Sequence, residues 1–205
     1  MKFNYIVLSN NIFMSTIGFE SIETAVLKKL ETLSPGLTYH SREHTRDVVR
    51  QSARIAREES ITDTRKLFIL KIAALYHDTG FIDTYSNHEE RSCQIFLRDS
   101  VSFGLTPAEI REITELIMVT RIPQQPKNLL QRILCDADLD YLGREDFESI
   151  GEKLRQEFLL YGVVQDDEEW DQLQLKFLTN HKYHTASSQR DREPVKQLHL
   201  HSLIR

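Results

Sequence analysis

Cysteine is nearly missing from this chain: of its 205 residues only Cys93 and Cys135 carry a thiol. Two distant cysteines build neither a disulfide framework nor a zinc-type cluster. Both fall at apolar positions of helical patterns, so a pair of buried free thiols is expected. Long hydrophobic runs are missing too. The first apolar stretch, Tyr5-Ile6-Val7-Leu8, runs at once into Ser9-Asn10-Asn11, too short and interrupted for a membrane span or a signal peptide. A cytoplasmic protein without a membrane partner is the default expectation. Met14 could serve as an alternative start, which would leave residues 1–19 as an N-terminal, unstructured extension.

An excess of cations is also lacking. Lys and Arg number 26 against 31 Asp and Glu, a formal charge of -5. A general nucleic-acid surface would need a basic stripe, so no nucleic-acid partner is expected. A small anionic ligand stays open, because it needs only a local cation or a metal. Strand-like alternation is scarce, and there is no internal repeat, low-complexity tract or long linker. With 40% hydrophobic and 28% charged residues, the balance is that of a compact helical protein. The expected fold class is all-α, one helical domain over 20–185 with a C-terminal helical extension, and a polar tail over 186–205. The sequence is compatible with a homo-oligomer and does not set its size.

What is present is helical spacing, repeated. Ile22, Ala25, Val26, Leu30 and Leu33 form the first run, stopped by Ser34-Pro35-Gly36. Val48, Val49, Ala53, Ile55 and Ala56 mark a second helix with His44 in its first turns. Thr62 or Asp63 caps a third, whose Leu67, Leu70, Ile72, Ala74 and Leu75 lead into His77-Asp78, with Gly80 as a left-handed stop. A fourth is expected over 89–102. Thr106-Pro107-Ala108-Glu109 is a capping box opening a fifth to about Thr120. Pro123 and Pro126 break the chain before a sixth that carries Asp136 and Asp138 and ends at Gly143. Two more amphipathic stretches, about 147–160 and 168–180, follow around Gly162.

Two adjacent ionisable side chains, His77 and Asp78, have no packing use at the end of an apolar run. An unpaired buried charge is costly, and a divalent ion offsets that cost by using both groups as ligands. Taken alone the pair has an ordinary helix-end explanation. The rest of the chain changes the balance: Tyr39-His40-Ser41-Arg42-Glu43-His44-Thr45 lies upstream, Asn87-His88-Glu89-Glu90 just downstream, and Asp136-Ala137-Asp138-Leu139 further on. In this order the blocks resemble the HD-domain superfamily of metal-dependent phosphohydrolases, over roughly residues 38–143.

The resemblance implies a ligand set of His44, His77, Asp78 and one aspartate of the Asp136/Asp138 pair. Asp138 is favoured because the family's last ligand usually follows an alanine, and Asp136 stays as the alternative. On a helix the two point about 200° apart, so one of them faces the ion. His88 matches a family histidine that contacts the phosphate or a second metal. Thr120 and Arg121 stand where two-metal relatives place further histidines, which implies one ion. Its identity, among Mn, Fe, Co, Ni, Zn and Mg, stays open. Asp78 and His88 are the candidate proton-handling residues. Arg121, Lys127 and Arg91 are candidates for holding a substrate phosphate. His40 or Glu43 could support a ligand histidine from behind, and Tyr141 and Asp140 could shape the pocket. His181 and His184, like His199 and His201, are expected to lie in a solvated tail.

The implied activity is hydrolysis of a phosphate ester of a small phosphorylated substrate, a nucleotide or cyclic nucleotide being the expected kind, by metal-activated water. The rival reading is a non-catalytic HD module that binds a nucleotide or a protein partner. A complete four-ligand set favours catalysis over the rival. The lacking second-metal histidines argue against di-iron oxygenase chemistry.

Overall fold

A computed structural model describes residues 18–204. Residues 1–17, with the expectations placed on the N-terminal extension and Met14, lie outside the described residues, as does Arg205. Ten α-helices and no strand occur among the described residues: α1 (Phe19–Lys29), α2 (Arg42–Glu58), α3 (Thr64–Tyr76), α4 (His88–Asp99), α5 (Pro107–Val119), α6 (Leu129–Asp138), α7 (Phe147–Leu160), α8 (Asp167–Asn180), α9 (Ala186–Asp191) and α10 (Glu193–Leu203). The all-α expectation holds.

The centre of the molecule is α3. Its Leu70, Ile72, Ala73, Ala74 and Leu75 are fully buried, the mark of a helix packed on all sides. Around it stand α2, α5, α6 and α1. Local chemistry sets the boundaries. Asp63 starts α3 by accepting the N–H groups of Arg65 and Lys66 at 2.8 and 3.2 Å, and Thr106 with Glu109 closes the expected capping box on α5.

Gly80 does not act as expected. It is not in the left-handed region; a 3-10 turn, Thr79–Ile82, carries the chain on instead. Its glycine is demanded by crowding, since a Cβ there would lie 1.9 Å from the His88 carbonyl oxygen. Its N–H donates to Ser92 Oγ at 2.8 Å, and that hydroxyl donates to the His77 carbonyl at 2.6 Å. The first turn of α4 is thereby clamped against the end of α3.

A second apolar cluster, with Tyr39, Leu139, Tyr141, Phe147, Leu178 and Tyr183, gathers the C-terminal helices. Residues 186–204, expected as a polar tail, instead fold into α9 and α10 and pack on α8 and on the turn Asp140–Gly143. The burial here is largely polar, which hid it from a hydrophobic pattern. Lys196 is fully buried. Its ammonium donates to the His181 carbonyl and pairs with Glu193 at 2.9 Å. Gly143 lets α10 approach, because a Cβ there would meet the Arg192 carbonyl oxygen at 2.3 Å.

Asp140, also fully buried, takes Arg54 at 2.7 Å, Arg192 at 2.9 Å and Arg144 at 3.4 Å. It serves as a structural tie rather than as part of the pocket wall. The two thiols are free, Cys135 buried and Cys93 only half-buried. No helix among the described residues is long and apolar enough to cross a membrane.

Candidate metal centre

Three helix ends converge where the two apolar clusters meet. His44 is the third residue of α2, whose start is capped by Ser41 accepting the His44 N–H at 3.3 Å. His77 caps the end of α3, Asp78 follows it, and Asp138 is the last residue of α6. Helix ends suit this task because side chains there can turn toward a common point without breaking backbone hydrogen bonds.

The convergence is tight. His44 Nε2 lies 3.3 Å from both Asp78 Oδ2 and Asp138 Oδ1. His77 Nε2 lies 3.0 Å from Asp78 Oδ2 and 3.4 Å from Asp138 Oδ1. Yet His44 Nε2, His77 Nε2 and Asp78 Oδ2 are all buried without a hydrogen-bond partner. The His77 ring is fixed from behind, its Nδ1 donating to the Ala74 carbonyl at 2.8 Å, which turns the Nε2 lone pair toward the carboxylates. Lone pairs of nitrogen and oxygen aimed at each other in a buried place require a cation between them, either a proton or a metal ion.

The proton affinities record that demand. Burial disfavours the imidazolium of His44, but Asp138 and Asp78 beside it outweigh burial and carry its pKa up to about 9. His77 is raised in the same way. Asp138 is opposed by burial and held at about 2 by the two imidazoles, and Asp78 is also lowered against its burial. Single donor atoms of His44, His77 and Asp138 all lie within 4.8 Å of one another, a spacing one ion can span.

Of the two aspartates, Asp136 is turned away from the cluster. Its carboxylate points away and accepts the N–H groups of His184 and Thr185, each at 2.8 Å, and the Thr185 hydroxyl at 2.6 Å. It anchors the start of α9. Asp138 faces the histidines, with its other oxygen accepting from Gln124 Nε2 at 3.4 Å.

His88, the first residue of α4, brings Nε2 to 3.5 Å from Asp78 Oδ1 and 3.6 Å from Glu89 Oε1. Burial lowers its pKa, so its neutral form is favoured. Its ring and that of His40 each stack on Phe81 with centroids 4.0 Å apart. His40 does not support a ligand histidine. Its Nδ1 bonds Glu157 of α7, a fully buried carboxylate that also accepts the N–H groups of Tyr39 and His40 at 3.0 and 3.1 Å and the Tyr85 hydroxyl at 3.2 Å. Glu43 is exposed.

The expected phosphate-holding cations are elsewhere. Arg121 is tied to Glu89 at 3.1 Å and to Glu90. Arg91 is tied to Asp83 at 2.6 Å and to Gln94 at 2.7 Å. Lys127 lies with Arg121 in a separate surface groove. Among the described residues, none of the three lines the cavity that opens at Asp78, His88 and Asp138. Carboxylates of Glu89, Glu90 and Asp83 consume the charges of Arg121 and Arg91.

That cavity, about 330 Å³, runs from the cluster to α7 and α8. Its far wall, together with Glu157 and Gln124, went unseen in the sequence. Tyr39-His40 beside His44 was the one available signal that a further polar contact lay nearby. Two more histidines depart from expectation: His181 is enclosed, with both ring nitrogens buried and unpartnered, and His199 stacks on Phe147 at 4.4 Å and bonds the Arg144 carbonyl at 2.9 Å.

Comparison with curated proteins and with solved structures gives no match. The family model of the HD domain matches residues 42–140, the stretch from the first residue of α2 to just past α6. It holds His44, the adjacent His77 and Asp78, and Asp138, and on these grounds residues 42–140 are an HD domain.

Proposed function

We propose that the protein is a metal-dependent phosphohydrolase that cleaves a phosphate ester of a small molecule, with His44, His77, Asp78 and Asp138 holding one divalent ion. The observation that carries this reading is the set of three buried, unpartnered ligand atoms aimed at one another. The family, whose members are mostly metal-dependent hydrolases, supports the same reaction class. An ion held there supplies Lewis-acid stabilisation of the phosphoryl oxygens and lowers the pKa of a coordinated water.

The protein's own residues do the rest. The Ala74 carbonyl holds His77 in the tautomer whose Nε2 is free to ligate. Gln124 holds the outer oxygen of Asp138. His88, kept neutral by burial and stacked on Phe81, offers a ring nitrogen beside Asp78 for a proton or a phosphate oxygen. With Asp78, Asp138 and Glu89 on the lining and no Lys or Arg among the lining residues, the bound ion must reverse the local charge before an anion can enter.

The test is metal analysis of the purified protein together with phosphate release from phosphomonoesters, nucleotides and cyclic nucleotides, beside His77→Ala and Asp78→Ala. One divalent ion per chain is expected, and both variants should lose it along with all turnover. A wild-type protein without metal, or turnover that survives both substitutions, sinks the proposal. Tight metal binding without hydrolysis of any member of the panel would instead favour a non-catalytic binding module.

A further inference from the structure

The cavity beside the cluster is charged only at one end, and Gln174 of α8 is the amide side chain that lines the other. Its other end is built by Leu154 and Phe158 of α7 and by Trp170, Leu173, Phe177 and Leu178 of α8, with Tyr141 and Phe147 beside them. Leu154, Phe158, Leu173 and Phe177 are large apolar side chains left only half-buried, because one face of each looks into the cavity rather than into packed protein. Water against such a wall is unfavourable, and an apolar group placed there gains about 0.8 kcal/mol per methylene buried. At about 330 Å³ the space falls within the roughly 300–1,000 Å³ of small-molecule sites.

No lining residue is a lysine or an arginine. A diphosphate or triphosphate would leave its additional charges facing carboxylates and hydrocarbon, with nothing to pair them. One phosphoryl group at the ion and an uncharged apolar remainder is the combination that satisfies both ends.

We infer that the substrate is the phosphomonoester of an apolar alcohol, aliphatic or aromatic, with its phosphate at the cluster and its hydrocarbon against α7 and α8. This rests on the reading of the cluster as a phosphohydrolase centre. In the reaction, water adds its oxygen to phosphorus, the bond between phosphorus and the ester oxygen breaks, and that oxygen leaves with the electron pair and takes up a proton. The products are the free alcohol and inorganic phosphate, with no other reactant. Because α7 and α8 lie beyond the matched residues 42–140, the selectivity comes from outside the stretch that carries the metal ligands.

Trp170 is the only tryptophan in the chain and lines this wall, so its fluorescence reads occupancy directly. Two measurements on the metal-loaded full-length protein test the inference. In the first, octylphosphonate and methylphosphonate, which cannot be hydrolysed, are titrated against Trp170 fluorescence, with metal competition reporting any silent binding. Octylphosphonate should bind about a hundredfold more tightly, equivalent to a few buried methylenes. Leu173→Asn, which replaces part of the apolar wall without adding charge, should erase most of that difference. In the second, octyl phosphate and 1-naphthyl phosphate should be hydrolysed with kcat/KM at least tenfold above ribose 5-phosphate, AMP, cyclic AMP and ATP.

Equal affinity for the two phosphonates, or polar phosphates turned over as well as apolar ones, would overturn the inference while leaving hydrolysis intact. Tight, Leu173-dependent octylphosphonate binding without phosphate release from any ester would overturn the hydrolytic reading and leave the cavity's ligand class standing.

Discussion

The half of the molecule inside residues 42–140 and the half beyond it solve opposite problems. In the first, an apolar helical core brings four ionisable side chains to one point and leaves three of their ligand atoms unpaired. At its joint with the second, buried polar and charged side chains are mostly paired: Glu157 by Tyr39, His40 and Tyr85, Asp140 by three arginines, Asp136 by the start of α9, with His181 as the exception. Unpaired ligand atoms of three residues converging on one point mark a place for a ligand. Paired ones mark a joint. The same residue types therefore mean different things a few ångströms apart.

Asp136 and Asp138 put this contrast within one turn of helix, and separating them should give the largest effect. Asp138→Asn is expected to lose the ion and all turnover with little change in Tm. Asp136→Ala is expected to keep the ion, but to leave two N–H groups and a hydroxyl without an acceptor, at about 1–3 kcal/mol for each that stays buried. Metal content and thermal unfolding of the two variants decide it. If Asp136→Ala loses metal at unchanged stability, the distinction fails.

The two crowded glycines sharpen the comparison. A Cβ on Gly80 would strike the His88 carbonyl, and one on Gly143 would strike the Arg192 carbonyl. Each alanine should cost about 1–3 kcal/mol or more, since backbone cannot step aside. Gly80→Ala should also weaken metal binding and turnover by shifting His88 and the end of α3. Gly143→Ala should only loosen α10. Equal damage to metal binding would show that the two halves are coupled more closely than their packing implies.

The smallest expected effect is one of pH. Burial, followed by the charge of Lys196, pushes the His181 pKa down to about 3. Unfolded, the group titrates near 6.5. Above pH 6.5 it is neutral in both states. Below that the unfolded chain takes up a proton that the folded state refuses, so stability falls as pH drops toward 3. The slope is about 1.4 kcal/mol per pH unit, or about 2 kcal/mol by pH 5. In denaturant titrations at pH 7 and pH 5, His181→Phe should show a smaller loss on acidification by about that amount. An unchanged difference would place the acid sensitivity elsewhere.

Helices and metal ligands were legible in the sequence for the same reason: their signals are local. His77 and Asp78 interrupt an apolar run, and Thr106-Pro107-Ala108-Glu109 announces a helix start within four residues. The roles of Asp136, Arg121 and Arg91 were not legible, because each depends on a partner that spacing does not reveal. Thr185 lies 49 residues from Asp136, and Glu89 lies 32 from Arg121. The C-terminal helices escaped because what they bury is Lys196, Ser187 and Ser188 rather than an apolar stripe. The cavity wall on α7 and α8 was visible only as two amphipathic helices, since a pattern of apolar residues reads the same whether it faces packed protein or an empty space.

The three arginines on Asp140 also bear on how the chain reaches its native state. Arg54, Arg144 and Arg192 come from α2, from the turn after α6 and from the residue just ahead of α10. During synthesis Arg192 emerges last, and until it arrives the carboxylate lacks part of its compensation. Contacts spanning 86 and 52 residues close late and slowly, since each must first meet a large loop entropy. The segment that hydropathy alone would have left in solvent thus supplies one of the three cations that compensate a carboxylate buried at the end of the metal-binding half.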